Sequence, residues 1–323
     1  MKKLKIYLLL LLYLSINVGL LRAQYGPVSV SIQEGADHLA IKETMETNAS
    51  ILLSAFNESV SNEEKLKLPV KIMTPSAMRK IEKLWKTSKM ICPDSLIVEN
   101  CLETTYKEYQ LRNIPVKMLS ASYDTENEQI AITFDHRGMI DDVLITMDKY
   151  MPILKKSYLV EDIVNRTKIL DFVEKFRTAY NCKDADYLEN VFSNNALIIT
   201  AKEIRQKPNS DQALKGLGVK EYRFQVQTKE QYLKNLKEKV FKKNAYLNIL
   251  FDSIDVVEHP GYENIYGVSL FQRWNSTYYK DEGYLYLLID CRKEYEMQIF
   301  VRAWHPERQF DFASFNDYKF YDM

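Results

Sequence analysis

The chain is poor in the residues that build most recognisable sites: nine glycines, nine prolines, four cysteines and four histidines in 323 residues. So little glycine excludes collagen-like sequence and glycine-rich linkers, and makes a glycine-rich loop cradling a phosphate against a helix N-terminus unlikely on composition alone. No G-x-S-x-G, H-E-x-x-H, P-loop or dinucleotide fingerprint occurs. There is no C-x-x-C either, so neither a zinc ribbon nor a thioredoxin-type motif is indicated. His38, His136, His259 and His305 are scattered, and read as surface or capping residues. No metal or other cofactor is expected. Net charge is lacking too: 44 basic residues balance 44 acidic ones, which removes the electrostatic case for nucleic acid.

What remains is an ordinary globular mixture, 46% hydrophobic and 27% charged. The length fits two domains at roughly 150 residues each. The N-terminus reads as a leader. Lys2, Lys3 and Lys5 precede an apolar run from Ile6 to Leu21, and Leu21-Arg22-Ala23 offers a cleavage site before Gln24. The run has 16 residues interrupted by Ser15 and Asn17, short of the about 20 that a spanning helix needs. Residues 1–23 are therefore expected to be a signal peptide, and the protein to be exported to the periplasm or beyond. No lipid anchor is expected, since no cysteine lies at the cleavage site, and no membrane span is expected after signal removal. Loss of the leader leaves 40 basic against 44 acidic residues, a mildly acidic chain. Cys92, Cys101, Cys182 and Cys291 allow three complete pairings. A strand-like stretch separates Cys92 from Cys101, and Cys291 continues an apolar row, as a buried free thiol would.

Along the mature chain, apolar residues at helical spacing from Ile41 to Val60 predict a helix. Thr74-Pro75 caps and opens a second. Residues 95–119 alternate as strands, and EQIAITFD and MIDDVLITMD form a hairpin around His136-Arg137-Gly138. This gives a smaller α+β domain over 24–156. Beyond it, Ile169, Phe172, Val173 and Phe176 mark one face of a long helix from about Glu161 to Asn181. Asp184 caps a short helix, a strand covers Ala196 to Thr200, and residues 202–218 read as a loop. After a strand at Glu221–Val226, Thr228 and Gln231 form a capping box that opens another helix. Four strands, Tyr246–Val257, Asn264–Trp274, Gly283–Cys291 and Tyr295–Trp304, then follow through turns too short for crossovers, so the sheet should be an antiparallel meander. Residues 307–323 form an aperiodic tail.

Helix, helix, strand, strand, helix and four long strands is an order that resembles the nuclear transport factor 2-like superfamily over about 160–306. The stretches ILDFVEKFRTAYNCKDADYLENVFSNNALIIT and YGVSLFQRWNS…DEGYLYLLIDCR…IFVRAWHP are similar to those of exported two-domain members of the Bacteroidetes type. The resemblance implies an α+β cone, helices packed on a curved antiparallel sheet, with a pocket inside. That fold hosts both enzymes and binding modules, so chemistry must be argued from the site. Gly267 is one place where such a sheet could bend.

The strongest functional signal is aromatic. If a short turn pairs Asp290 with Glu296, Tyr284 lies opposite Arg302 and Tyr286 opposite Phe300. Tyr284, Tyr286, Phe300, Arg302 and Trp304 would then share one face, with Trp274 nearby, as candidate ligand- or partner-binding residues. The first reading is a non-enzymatic binding or assembly protein. It would take a small apolar ligand or a protein partner, or form a homodimer through the sheet. The alternative is a cofactor-free acid–base enzyme of isomerase, dehydratase or cyclase type, with Asp252, Asp255 or Asp290 as the pocket carboxylate.

Overall fold

The computed structural model describes residues 25–37, 40–104, 108–119, 125–147, 160–205, 220–293 and 296–308. The expected leader, the greater part of the 202–218 loop and almost all of the tail lie outside them, as does His38. The chain divides into two compact units, Met1–Asp148 and Lys149–Met323.

In the first unit, strand β1 (Ser29–Ile32) runs beside helix α1 (Lys42–Ser61) and pairs in parallel with β3 (Leu96–Glu99). Met45, Ala49, Leu52 and Phe56 are buried, as their spacing predicts. A polar stripe on α1 carries a second job. Glu46, Ser50 and Ser54 accept the backbone N–H groups of Ile32, Val30 and Val28 at 2.7–2.9 Å. Helix side chains thus satisfy the strand edge that β3 does not reach. Helix α2 (Pro75–Thr87) opens with Thr74 accepting from the Ala77 N–H and proline at its first position. A sheet of β2 (Lys89–Ile91), β5 (Tyr109–Leu119), β6 (Thr125–Phe134) and β7 (Ile140–Ile145), with β4 (Cys101–Glu103) also on β5, completes the unit. Gly138 makes the β6–β7 turn at φ +77°, the conformation for which glycine is suited.

The second unit is a cone-like α+β fold. Helices α3 (Val160–Asn181), α4 (Ala185–Val191) and α5 (Lys229–Asn235) pack with a six-stranded curled sheet. The strands are β8 (Phe192–Arg205), β9 (Lys220–Gln227), β10 (Leu247–Glu258), β11 (Ile265–Ser276), β12 (Lys280–Asp290) and β13 (Gln298–His305). Their order is β10-β11-β12-β13-β8-β9. The last four strands form the antiparallel meander, and a parallel pair, β13 with β8, joins it to the β8–β9 hairpin. Asp184 caps α4, and Thr228 and Gln231 make both hydrogen bonds of the capping box. After one α-helical stretch, α5 widens into a π-helical turn at Leu236–Phe241.

Curvature comes from bulges and not from Gly267, which sits in unbroken register between Val257 and Leu288. One bulge falls at Asp252–Asp255 in β10, where Ser253 has φ +51°. Another falls in β13 around Phe300. Each extra residue bends and twists its strand.

Candidate functional site

The site is built from strand parity. Residues directly opposite in neighbouring strands point to the same face. Leu287 pairs with Arg302 and Leu285 with Trp304; Leu270, Gln272 and Trp274 on β11 pair with Leu285, Gly283 and Asp281. Ile249 and Phe251 on β10 continue this face. It is the face that α3 covers, for Phe176 stacks on Phe251, while Asn181 accepts the Ile249 N–H and Arg177 donates to the Ile249 carbonyl. Arg302, Trp304 and Trp274 therefore lie on the inner side of the cone.

That placement corrects the expected aromatic face. Asp290 pairs with Gln298 and Ile289 with Ile299, but beyond the bulge Leu288 pairs with Val301. The additional residue, Phe300, changes parity for the rest of β13. Tyr284 comes opposite His305 and Tyr286 opposite Ala303, on the outer face. Tyr286 is buried there with Ile265, Leu288 and Val301, and burial pushes its phenol pKa up. Tyr284 packs edge-on against Phe271. The predicted group thus separates: Arg302, Trp304 and Trp274 share a cavity, whereas Tyr284, Tyr286 and Phe300 do not line it.

Phe176, Tyr180, Phe192 and Phe251 fill part of the cone with ring-to-ring contacts. Beside them, sharing Tyr232 and Trp274, lies a cavity of about 580 Å³. Its sheet wall carries Gln272, Trp274, Arg302 and Trp304, and its helix wall carries Tyr232, Leu236 and Val240. The π-helical turn contributes Leu236, Lys239 and Val240, so an irregularity that recurs at functional sites in helices here shapes one side. Tyr278, 80% exposed, and Tyr279 mark the mouth.

Gly283 makes room for the floor. A Cβ at this position would stand 2.6 Å from Trp304 Cζ2, so the indole occupies the space of the missing side chain. Trp304 and Arg302 are each 4% exposed. The Arg302 guanidinium lies over the Tyr232 ring, 5.2 Å from its centroid, and is also coupled to the Tyr180 phenol. The two phenols meet at 2.5 Å. Burial, chiefly, holds the Tyr180 pKa well above the ordinary tyrosine value, so it stays protonated. Arg302 Nε and Nη1 and Trp304 Nε1 are buried without a hydrogen-bond partner among the described residues.

On one side the polar wall is internally satisfied: Gln227 donates to Thr200 at 2.7 Å and accepts from Asn235 at 2.8 Å. The lining carboxylate is Asp281, at the rim, where Tyr279 OH donates to it at 2.8 Å. Asp252, Asp255 and Asp290, the carboxylates considered from sequence, do not line the cavity, and Arg292 pairs with Asp290 at 2.6 Å. His136 lies in the β6–β7 turn of the first unit. His259 is buried at a turn, accepting from the Gly261 N–H, and His305 closes β13. All four cysteines are free; Cys92, Cys101 and Cys182 are buried, while Cys291 is half-buried with its thiol pushed up to about 12 by burial. Among the described residues no helix is long and apolar enough to cross a membrane, and no cluster of histidine, cysteine and acidic residues could hold a metal.

No protein-family model matches the chain, and no curated protein does. Among solved structures it is similar to the orange carotenoid protein of Anabaena (Nostoc) sp. PCC 7120 binding canthaxanthin, at 15% identity and a TM-score of 0.28. That likeness covers 42% of this chain and 35% of the other. The helical cell shape determining protein Pgp2 of Campylobacter jejuni is similar at 16% identity and a TM-score of 0.31, over 43% of this chain and 40% of that one. Bd1075 of Bdellovibrio bacteriovorus is similar at 10% identity and a TM-score of 0.33, over 64% and 92%. At these scores they fix neither family nor ligand.

Proposed function

We propose that this is an exported small-molecule-binding protein whose second unit is a nuclear transport factor 2-like cone, with the ligand held in the inner-face cavity. Export rests on the leader pattern in residues 1–23, and the cone on the order of elements together with the curled sheet around α3. The observation that carries the binding reading is the cavity itself. Its volume, about 580 Å³, lies within the range of small-molecule sites, and its walls combine aromatic and aliphatic side chains with a few convergent polar groups. Trp274, Leu236 and Val240 give a ligand body apolar surface, while the open mouth at Tyr278 and Tyr279 gives it a way in.

The test is titration with the neutral fluorescent probe N-phenyl-1-naphthylamine. Binding should saturate, and Val240→Trp, which fills the cavity from the helix side, should weaken it by about tenfold or more, a loss of 1.4 kcal/mol or above. A probe that does not bind, or binds Val240→Trp as well as the parent, would remove the proposal.

A further inference from the structure

We infer that the ligand of this cavity carries a carboxylate, which docks on Arg302 and Trp304 while its apolar body lies against Trp274. This rests on the cavity being a binding site and adds the chemistry of the head group.

The first observation is a buried charge without a counter-ion among the described residues. Arginine cannot shed its proton in a protein, so burial leaves a permanent cation out of water. Among the described residues, the groups acting on the Arg302 guanidinium are two phenols, Tyr232 and Tyr180, and no carboxylate is among them. Its Nε and Nη1 have no hydrogen-bond partner among those residues. A structural arginine would ordinarily have its donors satisfied by carbonyls or acids.

The second observation is the neighbour. Trp304 lies two residues further along β13, hence on the same face, and its Nε1 is likewise buried and unpartnered. Guanidinium and indole are both donor-only groups. Both residues line the cavity while these nitrogens lie just beneath its surface, so they select a head that reaches them on a small side-chain shift and only accepts hydrogen bonds. An ionised carboxylate is such a head, whereas a protonated amine offers these donors nothing.

The third is charge. Among the described residues, Lys239, Lys243 and Arg302 line the cavity against one acid, Asp281, which is already engaged by Tyr279 at the rim. An entering anion would meet positive potential along its path. Since the deepest of these cations is a single guanidinium, one negative charge is matched. The remaining wall at Trp274, Leu236 and Val240 is apolar, which assigns the rest of the molecule.

The experiment pairs decanoate with 1-decanol, equal in chain and different in head, using calorimetry and the quenching of Trp274 and Trp304. These are two of the three tryptophans in the chain. Decanoate should bind the parent about 10- to 100-fold more tightly than the alcohol, the range of charge-assisted hydrogen bonds. Arg302→Met keeps the side-chain stem and should reduce that preference, read as the ratio of the two affinities in the same variant, to about threefold or less. Should the variant not fold, the thermal shift of the parent decides: decanoate must raise Tm more than 1-decanol at equal concentration. Equal binding of the two heads, or an undiminished preference in Arg302→Met, overturns the carboxylate and leaves the cavity reading standing. Failure of all three probes to bind overturns both.

Discussion

Replacing Gly283 by alanine tests how the floor of the cavity is built. The new methyl would lie 2.6 Å from Trp304 Cζ2, 2.8 Å from Cε2 and 2.6 Å from the His305 carbonyl oxygen, whereas carbon atoms in contact prefer about 3.5–4.0 Å. The indole must shift to admit the methyl. The carbonyl belongs to β13, which is held in register by the β12 pairing. Overpacking of this kind costs about 1–3 kcal/mol, partly offset by about 0.4–1 kcal/mol from the stiffer unfolded chain. The expected net loss is roughly 1–2 kcal/mol, or a fall in Tm of about 3–8 °C for a unit of this size. Thermal and urea unfolding followed by near-UV circular dichroism would read it, because Trp304 reports the cavity wall. A double-mutant cycle isolates the cause: in a Trp304→Leu background the Gly283→Ala penalty should shrink by about 1 kcal/mol. A Gly283→Ala protein as stable as the parent would refute the reasoning. An identical penalty in both backgrounds would show that the indole is not the obstacle.

Three further outcomes follow from other parts of the chain. Asn57, buried on α1, accepts the Cys92 N–H and donates to the Cys92 and Gly26 carbonyls, each at 2.9 Å; Asn57→Ala orphans these groups and should cost about 2–4 kcal/mol in denaturant unfolding. Glu63 follows α1 at φ +57° with the Glu64 N–H bonded back to Ser59, a helix-ending position that glycine favours. Glu63→Gly should therefore stabilise the first unit by about 0.5–1 kcal/mol, and a loss of stability would contradict that reading. Burial lowers the His259 pKa, and its Nδ1 accepts from Gly261. The unfolded chain thus takes up the proton first, so this contribution is complete above about pH 6.5 and declines as the pH falls from there toward the folded pKa. His259→Gln should flatten the stability profile in that window, and an unchanged slope would count against it.

Elements were far more legible in the sequence than faces. The apolar spacing in α1 and α3, the cap at Thr74 and the capping box at Thr228 are local signals, and they specify helices wherever the rest of the chain goes. Side-chain parity in β13 is different, because one bulge decides it. A reading that assumes unbroken alternation from the β12–β13 turn places Arg302 opposite Tyr284 and Phe300 opposite Tyr286, with Trp304 on that same face. One residue, Phe300, moves both to the inner face. Nothing about phenylalanine marks a bulge, which arises from how β13 must bend between β12 and the parallel strand β8. The stripe Glu46, Ser50, Ser54 was similarly opaque: at helical spacing it looks like a solvated face, and only the position of β1 makes it a set of acceptors. Scarcity of glycine was informative in a less direct way. Glu63, Asn113, Lys183, Ser253 and Asn264 adopt positive φ, so turns and a bulge that would suit glycine are made by other residues, and Gly283 is kept for a contact that excludes any side chain.

The same wall bears on whether the cavity holds a molecule or transforms one. General acid–base catalysis needs a group that changes protonation near the working pH and reaches the substrate. Of the carboxylates considered from sequence none lines the cavity, and Asp281, which does, sits at the rim accepting from Tyr279. The buried phenol behind the wall, Tyr180, has its pKa raised by burial, and therefore stays protonated and is not poised as a base. Arg302 keeps its proton at any accessible pH. Cations and donors with fixed protonation stabilise a charge that is already present on the ligand, and they do not require it to form during the visit. The arrangement favours retention of an anion over proton transfer. Two measurements separate the two roles: Arg302→Met should reduce the preference for an acid head to about threefold or less, whereas a bell-shaped pH profile of neutral-probe binding in the parent would point to a titrating pair in the wall.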